Sequence, residues 1–286
     1  MDRRRFLAAT GVLIGSGVTL SACASWGGRS AAGPPEGEPT LVLRNPSYEL
    51  LAGTDRTYSF LLTDADNRPL EVAEVDVWVA DAEEQVQAGP FTAVFFDEGE
   101  ETFGTFRTVL DVPEPGITFL YAVSGQDFGR TAIDVVDAAD SILPAPGQPA
   151  IPSPTPTTQD DFAWEALCTR DPDCGMHETS LADALADGRP VLLAFATPAY
   201  CQTTVCAPAV DVIDEVRRSA TDWGDLAFIH VEIYTDAAST VTPPVLEWGL
   251  PTEPWYFAID RAGVIVDRRD GPLVSEDVVA LIEAVR

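Results

Sequence analysis

The sequence predicts two differently built parts, an all-β part followed by an α/β part, and three observations carry that reading. Residues 40–137 consist of short apolar runs broken by turn residues. Six prolines then crowd into 141–161, and beyond them buried-type apolar runs alternate with helical periodicity. A chain of 286 residues with 46% hydrophobic content is long enough and apolar enough for two cores.

In the first part, Thr40–Leu43, Thr57–Leu62, Val75–Val79, Ala93–Phe96, Thr105–Leu110, Ile117–Val123 and Thr131–Val136 read as strands. Val75, Val77 and Val79 alternate with Asp76 and Trp78, the period-two signal of a pleated face. Turns fall at Asp64–Pro69, Asp97–Glu101 and Pro113–Gly116. Seven short strands at this spacing predict a β-sandwich over 40–137, immunoglobulin-like in architecture. The segment has no cysteine or histidine, so a spacer or docking role is expected rather than chemistry.

Residues 138–161 are expected to form a linker. Proline at this density favours extended polyproline II and cannot join a sheet ladder, which predicts a semi-rigid spacer. Residues 162–286 then alternate. Ser180–Asp187 reads as a short helix with Ser180 as N-cap and Gly188 beyond its end. Val191–Ala196 is a continuous apolar run, as a strand covered on both faces requires. Val205–Arg218 sets Val205, Ala209, Val212, Ile213 and Val216 on one side, with Arg217 and Arg218 in the last turn, where the helix dipole favours them. Leu226–Tyr234 is a further strand, Trp255–Asp260 and Val264–Arg269 a hairpin, and Ser275–Val285 an amphipathic helix capped by Ser275.

Charge excludes one class of partner. Forty-six acidic residues face 17 basic ones, all arginine, for a net charge of −29. Such a field repels phosphate backbones, so nucleic acid is not an expected partner. The first 22 residues carry Arg3-Arg4-Arg5 and then an apolar stretch to Ala22, too short for a spanning helix, the pattern of a signal peptide. Arg3-Arg4 followed by Phe6-Leu7 resembles the twin-arginine export signal, and Leu20-Ser21-Ala22-Cys23 resembles the bacterial lipobox, in which the cysteine is lipidated. That resemblance implies Cys23 as the lipid attachment site, residues 23–39 as a flexible tether, and an exported chain held at the outer face of the cell membrane. The other four cysteines, Cys168, Cys174, Cys201 and Cys206, then lie in an oxidising compartment, where disulfides are the default.

The apolar run Val191–Ala196 leads into Thr197-Pro198-Ala199-Tyr200-Cys201, and after four residues comes Cys206, within a helix expected to start near Thr204. Gly249-Leu250-Pro251-Thr252-Glu253-Pro254-Trp255 follows about fifty residues on. A buried strand, a cysteine pair at a helix start and a later proline before a strand together resemble the thioredoxin-like family over roughly 176–286. The resemblance implies a thioredoxin-like α/β fold and thiol–disulfide exchange with extracytoplasmic protein thiols and disulfides. It implies Cys201 and Cys206 as the redox pair and Pro254 in the cis-proline role, with Glu253 and Trp255 beside it as substrate contacts. No organic cofactor is implied, because the sulfurs carry the electrons. The physical reason is that unpaired N–H groups at a helix start favour thiolate over thiol, and the thiolate is the nucleophile. Cys201 is therefore expected to attack and Cys206 to resolve.

The pattern departs from thioredoxins in its four intervening residues, in lacking Trp-Cys-Gly-Pro-Cys, and in having no carboxylate in Leu192–Ala196. An uninterrupted helix would hold positions i and i+5 beyond disulfide reach, so the helix must begin after Cys201. Other readings stay open. One is a binding or assembly module in which Cys201–Cys206 is structural. Another resembles peroxiredoxins of the bacterioferritin-comigratory type, although Pro198 and Ala194 stand where those carry threonine and proline. A third resembles the Sco-type copper proteins, with His230 as the histidine. Glu232 reads as a solvated edge charge. Cys168, Cys174 and His177 form a second cluster, expected to be a structural Cys168–Cys174 disulfide rather than a metal site, since zinc needs a fourth ligand.

Overall fold

The computed structural model describes residues 33–97, 104–201, 205–219, 223–237 and 240–286. The expected signal peptide, the lipobox with Cys23 and most of the tether lie outside the described residues. The first part is β1 (Val42–Arg44), β2 (Leu50–Leu51), β3 (Gly53–Thr63), β4 (Glu74–Ala80), β5 (Val86–Phe96), β6 (Thr105–Val112), β7 (Gly116–Ser124) and β8 (Asp127–Val136). All seven expected strands are present. β2 adds an eighth that is too short to show periodicity.

The sandwich expectation needs correction: the strands form one sheet in the order β1-β3-β6-β5-β4-β7-β8-β2. The sheet curls on itself. Backbone N–H groups of Thr40 and Leu41 both donate to Phe128 O at 3.0 Å, so the chain at β1 meets β8 as well as its ladder partner β3. Gly129 makes the approach possible, since a Cβ there would sit 2.9 Å from Leu43 N. Tyr58, Phe60 and Phe106 stack along the inside at centroid spacings of 5.5 and 5.6 Å. Curling, rather than a second sheet, covers the apolar face.

The second part holds α1 (Leu181–Ala186), β9 (Val191–Phe195), α2 (Cys206–Ser219), β10 (Ala227–Val231), α3 (Pro243–Trp248), β11 (Trp255–Ile259), β12 (Ile265–Asp270) and α4 (Ser275–Val285). Its sheet runs β10-β9-β11-β12, with β9 parallel to β10 and antiparallel to β11, and β11 antiparallel to β12. β9 is buried throughout, which explains its unbroken apolar run. Leu192, Ala194, Tyr256 and Ala258 face a core built with α2 and α4. Val191, Leu193, Phe195, Trp255 and Phe257 face another built with α1 and α3. Ser180 caps α1 as expected, accepting from Asp183 N. α3 is an element beyond those expected; Pro243 and Pro244 sit in its first turn, where no N–H is needed. The last helix is capped at Val274, with Ser275 inside the first turn, and Asp277 Oδ2 accepts from Val274 N at 3.3 Å.

The Pro-rich segment is no free spacer. Leu143, Ala145 and Ala150 are buried, and Gly147 N donates to Ile265 O, Ile265 N to Gln148 O and Ala150 N to Gly263 O. Proline-rich chain cannot extend a ladder fully, yet it lies along the β12 edge through the residues between its prolines. Arg268 on β12 closes the seam. Its guanidinium pairs with Glu49 of the curled sheet, donates to Pro144 O at 3.0 Å and Ser141 Oγ at 3.1 Å, and lies over the Trp255 ring. Both charges are almost fully buried. Arg107 of β6 meets Asp277 of α4 at 2.6 Å beside it.

Two outcomes follow. Arg268→Ala strands Glu49 in the seam and should lower stability by about 3–5 kcal/mol, read from the shift of a urea denaturation curve. Glu49→Leu with Arg268→Met together should recover most of that loss, and a double variant as unstable as the single one would show that the charge itself is needed. Asp270, at the same seam, accepts from Tyr48 N, and loss of hydration raises its carboxyl to about 7 from 3.8. The folded chain therefore holds a proton there that the unfolded chain has released, so stability should fall as pH rises from about 4 to about 7. Asp270→Asn should flatten that slope in pH-dependent denaturation.

Candidate functional site

Both cysteine clusters hang from the C-terminal end of β9. The chain leaves the sheet at Ala196 and Thr197, passes Cys201, and enters α2 at Cys206. Cys206 is fully buried in the first turn, while Cys201 is half-buried. Their sulfurs lie 2.7 Å apart as free thiols, so a helix that begins at Cys206 removes the reach problem posed by the four-residue gap. The Cys206 thiol is pushed far up, first by its hydrogen bond to Cys201, then by burial. The proton of the pair therefore stays on the inner sulfur, and the outer one is the sulfur able to carry negative charge.

β11 supplies the other wall. Trp255 pairs with Phe195, so the residues just before Trp255 stand beside the chain leaving β9. The Glu253–Pro254 peptide is cis. A Glu253 carboxylate oxygen and the sulfurs of Cys201 and Cys206 all lie within 4.8 Å of one another. A carboxylate is thus present at the pair after all, delivered by a different strand from the one in which it was sought. Trp255 is a correction. Its side chain is 1% exposed, packs with Phe257 on the opposite face of the sheet from Cys206 and donates to Thr252 Oγ1, so the ring lies in the core away from the pair. Tyr256, its neighbour in sequence, faces the cysteine side instead; burial, then the charge of the pair, holds its phenol protonated, and it donates to Gly271 O.

The second cluster is larger than expected. The Cys168 and Cys174 sulfurs lie 3.6 Å apart. His177 Nε2 lies 3.4 Å from Cys174 Sγ, and His230 Nδ1 lies 3.4 Å from Cys174 Sγ and 3.8 Å from Cys168 Sγ. His230 was weighed as a partner for Cys201 and Cys206; it joins Cys168 and Cys174 instead. Its position 56 residues after Cys174 hid the association; the Cys174–His177 segment runs beside β10, where His230 N donates to Met176 O at 3.0 Å. The four donor atoms lie within 4.8 Å of one another and could hold a metal ion.

Glu232 also departs from its expected role, being fully buried rather than solvated. Its carboxylate accepts from Thr169 N at 2.6 Å and Thr169 Oγ1 at 3.1 Å and lies 3.8 Å from His230 Nε2. Thr169 Oγ1 in turn accepts from Ala199 N at 3.0 Å, tying the Cys168 loop to the segment that leads to Cys201. Burial works against a charged His230 ring, but the Cys168 sulfur and Glu232 outweigh it and raise its pKa. The pocket is one that attracts positive charge.

No family description matches this sequence and no curated protein matches it. Solved structures do. A thiol:disulfide interchange protein of the thioredoxin family from Chlorobium tepidum TLS is 14% identical over 49% of this chain and 97% of its own, with a TM-score of 0.32. The BSP domain of a biofilm-associated protein is 19% identical over 37% of this chain, which spans only 16% of that protein, at a TM-score of 0.25. The Lin-41 filamin domain is 13% identical over 36% of this chain and 97% of its own, at a TM-score of 0.23. At identities and TM-scores this low, functional assignment rests on the site.

Burial and the shared proton separate the two sulfurs of the outer pair. In the reduced protein at neutral pH, iodoacetamide should modify Cys201 well before Cys206. Peptide mapping checks the order, and equal labelling of both would contradict this geometry.

Proposed function

We propose that the chain is a thiol–disulfide oxidoreductase acting through Cys201 and Cys206 on extracytoplasmic proteins, from a thioredoxin-like domain anchored by lipid on Cys23 to the outer face of the membrane. The observation that carries the reading is the pair itself: one sulfur half-exposed, its mate buried at the head of α2, 2.7 Å away. The strand order β10-β9-β11-β12, with helices on both faces and Pro254 before β11, supports the thioredoxin-like reading.

The exchange balances as follows. Cys201 as thiolate attacks one sulfur of a partner disulfide; a mixed disulfide forms and the partner's other sulfur leaves as thiolate. Cys206 then gives up its proton and attacks the Cys201 sulfur, forming the Cys201–Cys206 disulfide. The second partner sulfur departs, and with two protons the partner ends as a dithiol. Two electrons have passed to it, and the reverse sequence oxidises a partner dithiol. Glu253, within 4.8 Å of both sulfurs, is the group placed to accept the Cys206 proton, directly or through one water. No organic cofactor enters the cycle. The curled sheet acts as a spacer or docking body.

The tests separate enzyme from scaffold. Cys201→Ser should abolish exchange with a disulfide-bonded test protein, while Cys206→Ser should accumulate a mixed disulfide visible on a non-reducing gel. Glu253→Gln should slow resolution on the order of 10²-fold, with the loss following the pH at which the carboxylate ionises. Equilibration with glutathione decides the matter: a potential below about −300 mV would mark Cys201–Cys206 as a structural bond and end the enzymatic reading.

A further inference from the structure

We propose that Cys168, Cys174, His177 and His230 form a tetrahedral zinc-type metal site, separate from the Cys201–Cys206 pair. A four-coordinate ion with bonds of about 2.3 Å to sulfur and about 2.0–2.1 Å to nitrogen sets its ligands about 3.8 Å apart for two sulfurs and about 3.5 Å apart for sulfur and nitrogen. The chain already holds its donors at those spacings: 3.6 Å between sulfurs, and 3.4, 3.4 and 3.8 Å from sulfur to imidazole nitrogen. Two thiolates and two imidazoles are a donor set suited to zinc.

Support around the ligands has the form such sites need. His230 Nε2 lies 3.0 Å from Ala196 O, and a carbonyl can only accept, so Nε2 carries the ring proton and Nδ1 turns its lone pair towards the sulfurs. That is the outer hydrogen bond which fixes the tautomer of a metal-bound histidine. His177 is fully buried, and its Nδ1 has no hydrogen-bond partner among the described residues, so its contact with Cys174 through Nε2 is what orients the ring. The Cys168–Cys174 loop is braced independently of any ion. Arg217 donates to Cys174 O at 2.8 Å, Arg170 pairs with Asp211 and donates to Pro172 O, and Glu232 holds Thr169. Half-buried Cys168 leaves an entry route on one side.

The test uses the full chain carrying Cys201→Ser and Cys206→Ser, which removes the other pair and makes the result independent of the redox reading. The reduced protein should bind one equivalent of Co²⁺, with the visible bands of four-coordinate cobalt and a thiolate charge-transfer band, and Zn²⁺ should displace it. Cys168→Ser or His230→Gln should weaken binding on the order of 100-fold or more. Zn²⁺ should also protect Cys168 and Cys174, the two cysteines that remain beside Cys23, from a disulfide dye, a readout that needs no ligand variant to fold. A pale six-coordinate cobalt spectrum, thiols equally reactive with and without Zn²⁺, or a Cys168–Cys174 disulfide in protein prepared with Zn²⁺ present would each overturn the proposal.

Discussion

The register of β9 against its two neighbours is the constraint on which both clusters depend. Ala194 stands between His230 and Tyr256, and Phe195 between Val231 and Trp255. Because side chains alternate faces along a strand, a one-residue slip of β10 would carry His230 to the α1/α3 core and bring Val231 to the sulfurs. The same slip in β11 would move Glu253 and Pro254 away from Cys201. Burial of β9 on both faces resists such slips, since each would expose apolar side chains or bury a charged one. Chemistry at the end of the strand is fixed by packing along it.

What the sequence revealed and what it hid follow from range. Period-two alternation in Val75–Val79 and the helical spacing of Ala209, Val212, Ile213 and Val216 are local, and the corresponding strand and helix lie close to where they were expected. The two residues of β2 are too few to show a period, and the six residues of α3 make fewer than two helical turns. One sheet or two is decided by whether the end strands meet, and that turns on Gly129, whose missing Cβ gives no periodic signal. The Pro-rich segment misled for another reason: proline density speaks to ladder bonding, while Leu143, Ala145 and Ala150 between the prolines decide the docking.

The same distinction governs the sites. Cys201 and Cys206 were recognisable because a strand, a turn and a helix start are consecutive in the chain. Cys168, Cys174 and His177 were recognisable as a group, but their fourth member arrives through a long-range backbone contact, His230 N to Met176 O, that no spacing rule reports. Glu253 was sought as a substrate contact because it precedes Pro254, while a carboxylate was sought on β9; the structure sets the Glu253 carboxylate within 4.8 Å of both sulfurs. Trp255 shows the reverse, where adjacency to the site in sequence meant the opposite face of the sheet.

The two clusters differ in what their burial permits. At the outer pair a half-buried sulfur faces a fully buried one, an asymmetry suited to meeting a partner and then releasing it. At the inner cluster three of the four donors are fully buried and each is held by backbone or by a second residue, an arrangement suited to retaining what it binds. Thr169 joins them, taking a hydrogen bond from Ala199 and giving two to Glu232, which itself lies against His230. Anything that stiffens the loop beginning at Cys168 therefore also stiffens the segment two residues ahead of Cys201. The buried carboxylate of Glu232 thus gives the segment before Cys201 a fixed base.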